Sequence, residues 1–441
     1  MTEILGLALA ILLAATSAGA TTTMYDLLWY GQSLSVGAFG QPLLTPFAPN
    51  ASFTFMMHNS CTGLYSPNHG SITAQASTCF DHLAPAYDSY FSSLANTTPA
   101  QSSMTPMAEA LASLEGATPA NPYFMLESGF GIGGYNYAQL ASGTTPYTNL
   151  KNGLSGAVSL LPSGFSLNVP AAMFVQGEAD AQAGTSRSTY AADLATLQGN
   201  FTSDIESITG QSNAPLLLIT QETNNTAFGS VASSQSIWLG QWDAAVNNPG
   251  KIVLVTPNYI FENNAQQSGH LTARGYFCLG EYMARAYRKV VAAAQGGLGS
   301  SWAAPMPAAA SISNSGAVVS IPYSGGTAPY VLDCNYITSP NGACDGFYYT
   351  DNSGSPPSCT GVSVAANGTT ILMTLNAAPS HGATAVVEYA NSVANGEGTA
   401  IPGPVTGLRG CLHDSDPYTS LLDGKALPNY SIAWNASFTA N

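Results

Sequence analysis

Met24-Tyr25-Asp26-Leu27-Leu28-Trp29, followed at once by Tyr30-Gly31-Gln32-Ser33-Leu34-Ser35-Val36-Gly37, is the stretch that decides the fold. The first six residues are an apolar run suited to a buried strand, and the eight that follow contain a glycine two places before a serine. A serine at the carboxyl end of a first strand stands where open α/β sheets place their sites. Gly31 lets the chain turn sharply there, which exposes the Ser33 hydroxyl and aims its N–H toward a developing oxyanion. Taken alone, a Gly-x-Ser turn is better explained by an ordinary turn.

Outward from that stretch the pattern repeats. Ala171 to Val175, Pro215 to Thr220 and Ile252 to Val255 are short continuous apolar runs, the pattern of strands covered on both faces. Between and after them lie helix candidates at Tyr190 to Ile208 and Ala273 to Ala294, the second opened by Thr272 as N-cap. Alternating strands and helices predict a parallel sheet in an α/β domain over 21–297. Residues 298–310, rich in Gly, Ser, Ala and Pro, read as a linker. Beyond it, short alternating segments such as Ala317 to Ile321, Thr370 to Leu375 and Ala385 to Tyr389 predict a smaller all-β sandwich over 311–441. At the other end, the apolar run Leu5 to Ala15 and the small residues Ala18-Gly19-Ala20 read as a signal peptide over 1–20, although its first residues carry Glu3 and no Lys or Arg.

Composition narrows the partners. The 441 residues carry 9 Lys+Arg against 24 Asp+Glu, a net charge of -15, and only 7% are charged. Such a surface repels phosphate backbones and anionic headgroups, so neither nucleic acid nor, after signal cleavage, a membrane is expected as a partner. Export makes disulfides the natural use of six of the seven cysteines, and with no CxxC pair metal ligation is not expected. Cys61 and Cys79 flank one polar loop, while Cys334, Cys344, Cys359 and Cys411 share the C-terminal region with their pairing open. Disulfides account for these thiols more simply than a metal cluster with His413 and Asp414. Cys278 falls in an apolar helical stretch and reads as a buried free thiol.

The second half of the chemistry is Ser268-Gly269-His270-Leu271-Thr272, just before the last long helix candidate. A serine hydroxyl is a poor nucleophile at neutral pH and needs such a base within hydrogen-bond reach. A loop histidine bonded to nearby backbone is the plainer reading. Four blocks in order, Gly31-Gln32-Ser33-Leu34, Gly131-Ile132-Gly133-Gly134, Gln176-Gly177-Glu178-Ala179-Asp180 and His270-Leu271-Thr272-Ala273-Arg274-Gly275-Tyr276, resemble those of the sialate O-acetylesterase-like carbohydrate esterases of the SGNH hydrolase superfamily. The resemblance spans roughly residues 24–295, and the C-terminal part is more weakly similar to the β-sandwich that follows such domains.

The resemblance implies a flavodoxin-like three-layer SGNH domain in a secreted, extracellular or periplasmic serine carboxylic-ester hydrolase. Its substrate would be an acetylated oligo- or polysaccharide, deacetylated through an acetyl-enzyme without cofactor or metal. Ser33 would be nucleophile and His270 its base, with Gly133, Gly134 and Gln176 supplying oxyanion donors beside the Ser33 N–H, and Gln32 and Glu178 in support. Glu178 with Asp180 also suggests a paired-carboxylate site, but hydrogen bonding that braces the loops explains Glu178 better. Where the family has aspartate three residues before the histidine, this chain has Gln267, so a Ser–His dyad, a substituted triad and an acid displaced to Glu262 all stay open. Trp29, Trp238, Trp242, Tyr135 and Tyr137 offer faces for sugar rings, the two tyrosines most directly because they follow the glycine turn. A short-chain or lipid esterase of the same fold, and a glycan-binding protein whose hydrolase domain has lost activity, are the alternatives.

Overall fold

The structure is a computed structural model and describes residues 21–44, 53–65, 70–86, 100–223, 230–264, 269–294, 302–391 and 400–441. The signal peptide expected over 1–20 and Gln267 lie outside the described residues. The run from Met24 forms the core of strand β1 (Thr22–Gly31), whose last six residues are all buried. Eight further strands complete its sheet: β2 (Thr54–Asn59), β3 (Leu64–Tyr65), β4 (Phe80–Pro85), β5 (Phe124–Gly129), β6 (Phe165–Asn168), β7 (Ala171–Val175), β8 (Leu216–Gln221) and β9 (Ile252–Pro257). The order is β3-β2-β5-β1-β7-β8-β9, with β4 paired to β2 and β6 to β1. Neighbours from β2 to β9 run parallel, while β3 and β4 add an antiparallel edge to β2.

Every residue of β5, β7 and β9 is buried, so both faces of the sheet are covered. Two helical groups supply the cover. Helix α1 (Met104–Leu114) packs on the last helix of this half, α7 (Ala273–Ala294), while α3 (Thr145–Leu160), α5 (Arg187–Thr209) and α6 (Val231–Asn247) pack in a row. Two short helices, α2 (Tyr137–Leu140) and α4 (Glu178–Ala183), sit beside strand ends. Thr272 takes its expected place before α7, its hydroxyl accepting from Gly275 N at 3.2 Å.

The C-terminal half is antiparallel throughout. Strands β10 (Met306–Pro307), β11 (Ser313–Ser315), β12 (Val318–Ser324), β15 (Cys359–Val364) and β16 (Thr370–Leu375) make one sheet, β14 (Phe347–Asp351), β17 (Thr384–Tyr389) and β19 (Trp434–Thr439) a second, and β13 (Val331–Leu332) with β18 (Leu412–His413) a third. Burial alternates along β12 and β17, the signature of strands with one face on a core. Disulfides join Cys61 to Cys79, Cys334 to Cys411 and Cys344 to Cys359, while Cys278 is a buried free thiol. Asp414 is used by backbone, accepting from Thr327 N and Asn429 N, both at 2.8 Å.

The segment read as a linker packs where it is described: Trp302 is buried and donates its indole N–H to Val255 O at 3.1 Å, and Met306 pairs in β10. The two halves share one hydrophobic core. Polar contacts cross the seam as well. Gln221 Nε2 donates to Ala433 O at 2.8 Å, Trp238 Nε1 to Asn391 Oδ1 at 2.7 Å, and Tyr259 Oη to Ser431 O at 2.6 Å. Buried Arg285 of α7 pairs with Asp416 at 3.1 Å and donates to Leu427 O at 2.7 Å.

Candidate active site

From β1 the chain passes to β2 on one side, returns through β5, and then crosses to β7 on the other side of β1. The winding reverses at β1, and open α/β sheets bind ligands outside the carboxyl ends of the strands at such a reversal. There the carboxyl ends of β1, β5 and β7 deliver Gln32-Ser33, the turn 131–134 and Gln176-Gly177-Glu178 side by side. A cavity of about 660 Å³ opens at this point, lined by Ser33, His270, Gln32, Gly133, Gly134 and Glu178 among others.

Ser33 begins a 3-10 turn (Ser33–Val36), whose leading N–H groups have no partner within the turn. The sharp exit from β1 depends on Gly31, with φ +130 and its backbone so close to Val175 that a Cβ would lie 2.1 Å from the carbonyl oxygen. Across the cavity mouth, His270 Nε2 lies 2.9 Å from Ser33 Oγ. The His270 carbonyl accepts from Asn264 N at 2.8 Å, and Phe39 meets the imidazole edge to face with ring centroids 4.7 Å apart. Phe39 holds a left-handed φ of 62, unusual for a bulky residue, and its carbonyl accepts from Asn264 Nδ2 at 3.2 Å. Glu262 is exposed, and its link to the histidine loop is a main-chain one, Thr272 N to Glu262 O at 2.9 Å.

Gln32 stitches two strand ends together. Its backbone N donates to Val175 O at 3.0 Å, and its side-chain oxygen accepts from Ala179 N at 3.2 Å and Gly177 N at 3.4 Å. The placement of Gln176 corrects the expectation that its amide reaches the oxyanion position. Both of its N–H bonds are used elsewhere, to Asp180 Oδ2 at 2.6 Å and Tyr135 O at 3.2 Å, while its oxygen accepts from Tyr190 Oη at 2.6 Å. Asp180 is correspondingly a bracing group, accepting also from Tyr137 N at 2.7 Å and Thr185 Oγ1 at 2.8 Å. Of the aromatic candidates Tyr135 lines the cavity, whereas Trp29, Trp238, Trp242 and Tyr137 are buried in the core.

Glu178 lines the cavity yet is almost wholly buried beside a second buried carboxyl, Glu222. Burial raises Glu178 to about 7, backbone N–H groups and Glu222 offsetting part of the effect. Burial and the Glu178 charge push Glu222 well above the usual carboxylate range. The pair therefore keeps a proton at neutral pH, as two carboxyls in a dry site must. Glu222 also accepts from Thr220 Oγ1 and from Asn258 Nδ2, the latter at 2.6 Å, and its backbone N donates to Gln241 Oε1 at 2.8 Å. Glu222 and Gln241 went unread in the sequence. The available signal was the polar end, Gln221-Glu222, of an otherwise apolar strand.

In architecture the chain is similar to the carbohydrate acetylesterase XAC1771 from Xanthomonas citri, with a TM-score of 0.55 and 15% identity over 94% of this chain and 80% of that one. The two chains share a fold. A partial likeness to NanS has a TM-score of 0.42 and 14% identity, covering 60% of this chain and 97% of that one. Another, to the carbohydrate acetylesterase Est24 from Sinorhizobium meliloti, has a TM-score of 0.31 and 15% identity, covering 43% and 87%. No family model and no curated protein sequence matches the chain.

Proposed function

We propose that the protein is a secreted serine esterase of the SGNH type, removing O-acetyl groups from an oligo- or polysaccharide. The observation that carries this reading is the 2.9 Å approach of Ser33 Oγ to His270 Nε2 at the mouth of a cavity on the sheet's reversal point. Ser33 Oγ attacks the acetyl carbonyl as His270 Nε2 takes its proton, and the returned proton leaves with the sugar hydroxyl. Water, activated by the same imidazole, then releases acetate from Ser33. The negative oxygen of each tetrahedral intermediate is met by the Ser33 N–H and a main-chain N–H of the Gly133-Gly134 turn, while Gln176, Gln32 and Glu178 hold the strand ends that carry them. Gln267 stands at the family's aspartate position in the sequence, so the base works in a Ser–His dyad, in a triad with a neutral third member, or with an acid displaced to Glu262. Residues 21–297 form the catalytic unit and 311–441 a β unit packed on it. Three disulfides fit an oxidising extracellular compartment, and no helix among the described residues is long and apolar enough to cross a membrane.

A fluorophosphonate should label Ser33 in the parent and leave Ser33→Ala unlabelled, and Ser33→Ala should lose hydrolysis of acetylated sugars and p-nitrophenyl acetate with its melting temperature nearly unchanged. Full activity in that variant would remove the assignment, and an unreactive parent would favour a glycan-binding role. A second reading is supported by the apolar wall of Val36, Phe39, Ile72 and Ile132, which suits longer acyl chains. A p-nitrophenyl ester series separates the two: the acetylesterase is fastest on acetate, a lipid esterase on longer chains.

A further inference from the structure

On the antiparallel edge of the main sheet, and not among the residues lining the Ser33 cavity, three side chains converge without any role in ester hydrolysis. His58 Nδ1 and His82 Nδ1 each lie 2.8 Å from the same oxygen, Asp81 Oδ1, and one donor atom from each of the three residues falls within 4.8 Å of the others. The sequence hides the group, because His58 is separated from the pair by the Cys61–Cys79 loop. What brings the three together is a bulge. In the antiparallel pairing of β2 with β4, His58 opposes His82 and Asn59 opposes Phe80, leaving Asp81 as the extra residue. A bulge breaks the strict alternation of side chains, so the neighbours Asp81 and His82 both meet His58.

We propose that His58, Asp81 and His82 bind a divalent metal ion of the zinc class. Two imidazoles and a carboxylate are a ligand set that such ions accept, with the remaining position open to water. Both imidazoles direct Nδ1 at one point, and bonds of about 2.0–2.1 Å from zinc to nitrogen or oxygen require ligand atoms roughly 3.3 Å apart. The two N···O pairs, at 2.8 Å, need to widen by about half an ångström, and the two nitrogens, within 4.8 Å of each other, need to settle at the same spacing, adjustments open to side chains that are 20% (His58), 42% (Asp81) and 50% (His82) exposed. Exposure also gives the ion its entry path. The outer shell is present too: Tyr65 Oη lies 3.2 Å from His82 Nε2, the partner a metal-bound imidazole needs for its other N–H.

The scaffold is already closed around the group. The Cys61–Cys79 disulfide ties the two strands just beyond it, and Ser60 N and Oγ both donate to Cys79 O, at 2.8 and 2.9 Å. Within that disulfide loop, Gly70, Ser71 and Ile72 form one wall of the active-site cavity. A metal at its base therefore fastens the hairpin that carries the wall.

Full-length protein without an affinity tag, stripped with chelator and titrated with Zn²⁺ against a chromophoric competitor, should bind one equivalent, and Zn²⁺ should raise its melting temperature. His58→Gln and His82→Gln should each weaken this binding by more than the roughly 10–100-fold that loss of an outer-shell partner costs, and Tyr65→Phe should weaken it less. Co²⁺ in place of Zn²⁺ should give visible d–d absorption that is lost in the same two variants. Far-UV circular dichroism of the metal-free variants, matching the parent, establishes that the fold is retained. Absence of saturable Zn²⁺ binding, or equal binding by parent and both histidine variants, overturns the proposal and leaves an ordinary hydrogen-bonded cluster.

Discussion

At the scale of single residues, the proposed chemistry turns on a hydroxyl and an imidazole drawn together from positions 33 and 270. If Gln267 orients that imidazole, Gln267→Asp supplies the missing negative charge and should raise the acylation rate, while Gln267→Ala should lower it. Pre-steady-state release of p-nitrophenol measures both, and loss of orientation in a serine triad costs up to about 10⁴ in turnover. If neither substitution changes the rate, removal of Glu262 decides between the remaining forms: a heavy loss means a displaced carboxylate holds the imidazole, and no loss means His270 works as the base of a dyad. Buried carboxyls make a separate prediction. Burial raises Asp26 from 3.8 to about 7 and Glu178 from 4.5 to about 7. Between those limits the folded chain holds protons the unfolded chain has released, so stability is greatest below the unfolded values and falls as pH rises through about 7. The melting temperature should decline from about pH 5 to about pH 8, and Asp26→Asn or Glu178→Gln should flatten that decline. A curve that stays flat over this range would mean that these groups ionise as freely in the folded state as in the unfolded chain.

At the scale of elements, the serine turn is set by how closely β1 approaches β7. Gly31 has no room for a side chain beside Val175 and sits at a φ that other residues avoid. Gly31→Ala should cost roughly 3 kcal/mol from backbone strain alone, with the clash adding to it, and should lower activity through displacement of Ser33. Urea denaturation and p-nitrophenyl acetate turnover read the two effects. Gly131 makes the matching contact from β5's side, where a Cβ would lie 2.1 Å from Ser35 Oγ. The Cys61–Cys79 loop, with 18 residues of separation, contributes about 3 kcal/mol in the chain-entropy picture, so the double Cys→Ser variant should melt well below the parent.

At the scale of the whole molecule, the two halves share core and polar contacts instead of meeting through a free linker. Removing residues 302–441 would uncover Trp238 and Tyr259 and strip Arg285 and Glu281 of their partners, Asp416 for the first, Ser420 and Tyr418 for the second. An unpaired buried charge costs several kcal/mol, so the truncated chain should fail to give a soluble, cooperatively melting product. Calorimetry of the full chain should show one transition, and two well-separated ones would mean that the halves fold independently.

Much of this was legible from the sequence because it is local. The apolar run into Gly31 requires a strand and a sharp turn, the runs at 171–175, 215–220 and 252–255 require strands covered on both faces, and Thr272 caps a helix whatever surrounds it. Ser33 could be singled out for the same reason, since its turn is written in its own residues, whereas Gly133 and Gly134 stood out only through the family resemblance of their block. Tertiary structure alone decided what depends on distant partners. Gln176 turns its amide to Asp180 because Tyr190, from another helix, takes its oxygen. Glu222 matters because β8 delivers it against Glu178, and Cys334 pairs with Cys411 across 77 residues while nearer thiols pair with each other. His58 meets Asp81 and His82 only because one extra residue bulges a strand. Periodicity specifies which face of an element is apolar, whereas the partner a polar group finds is specified by packing among elements far apart in the chain.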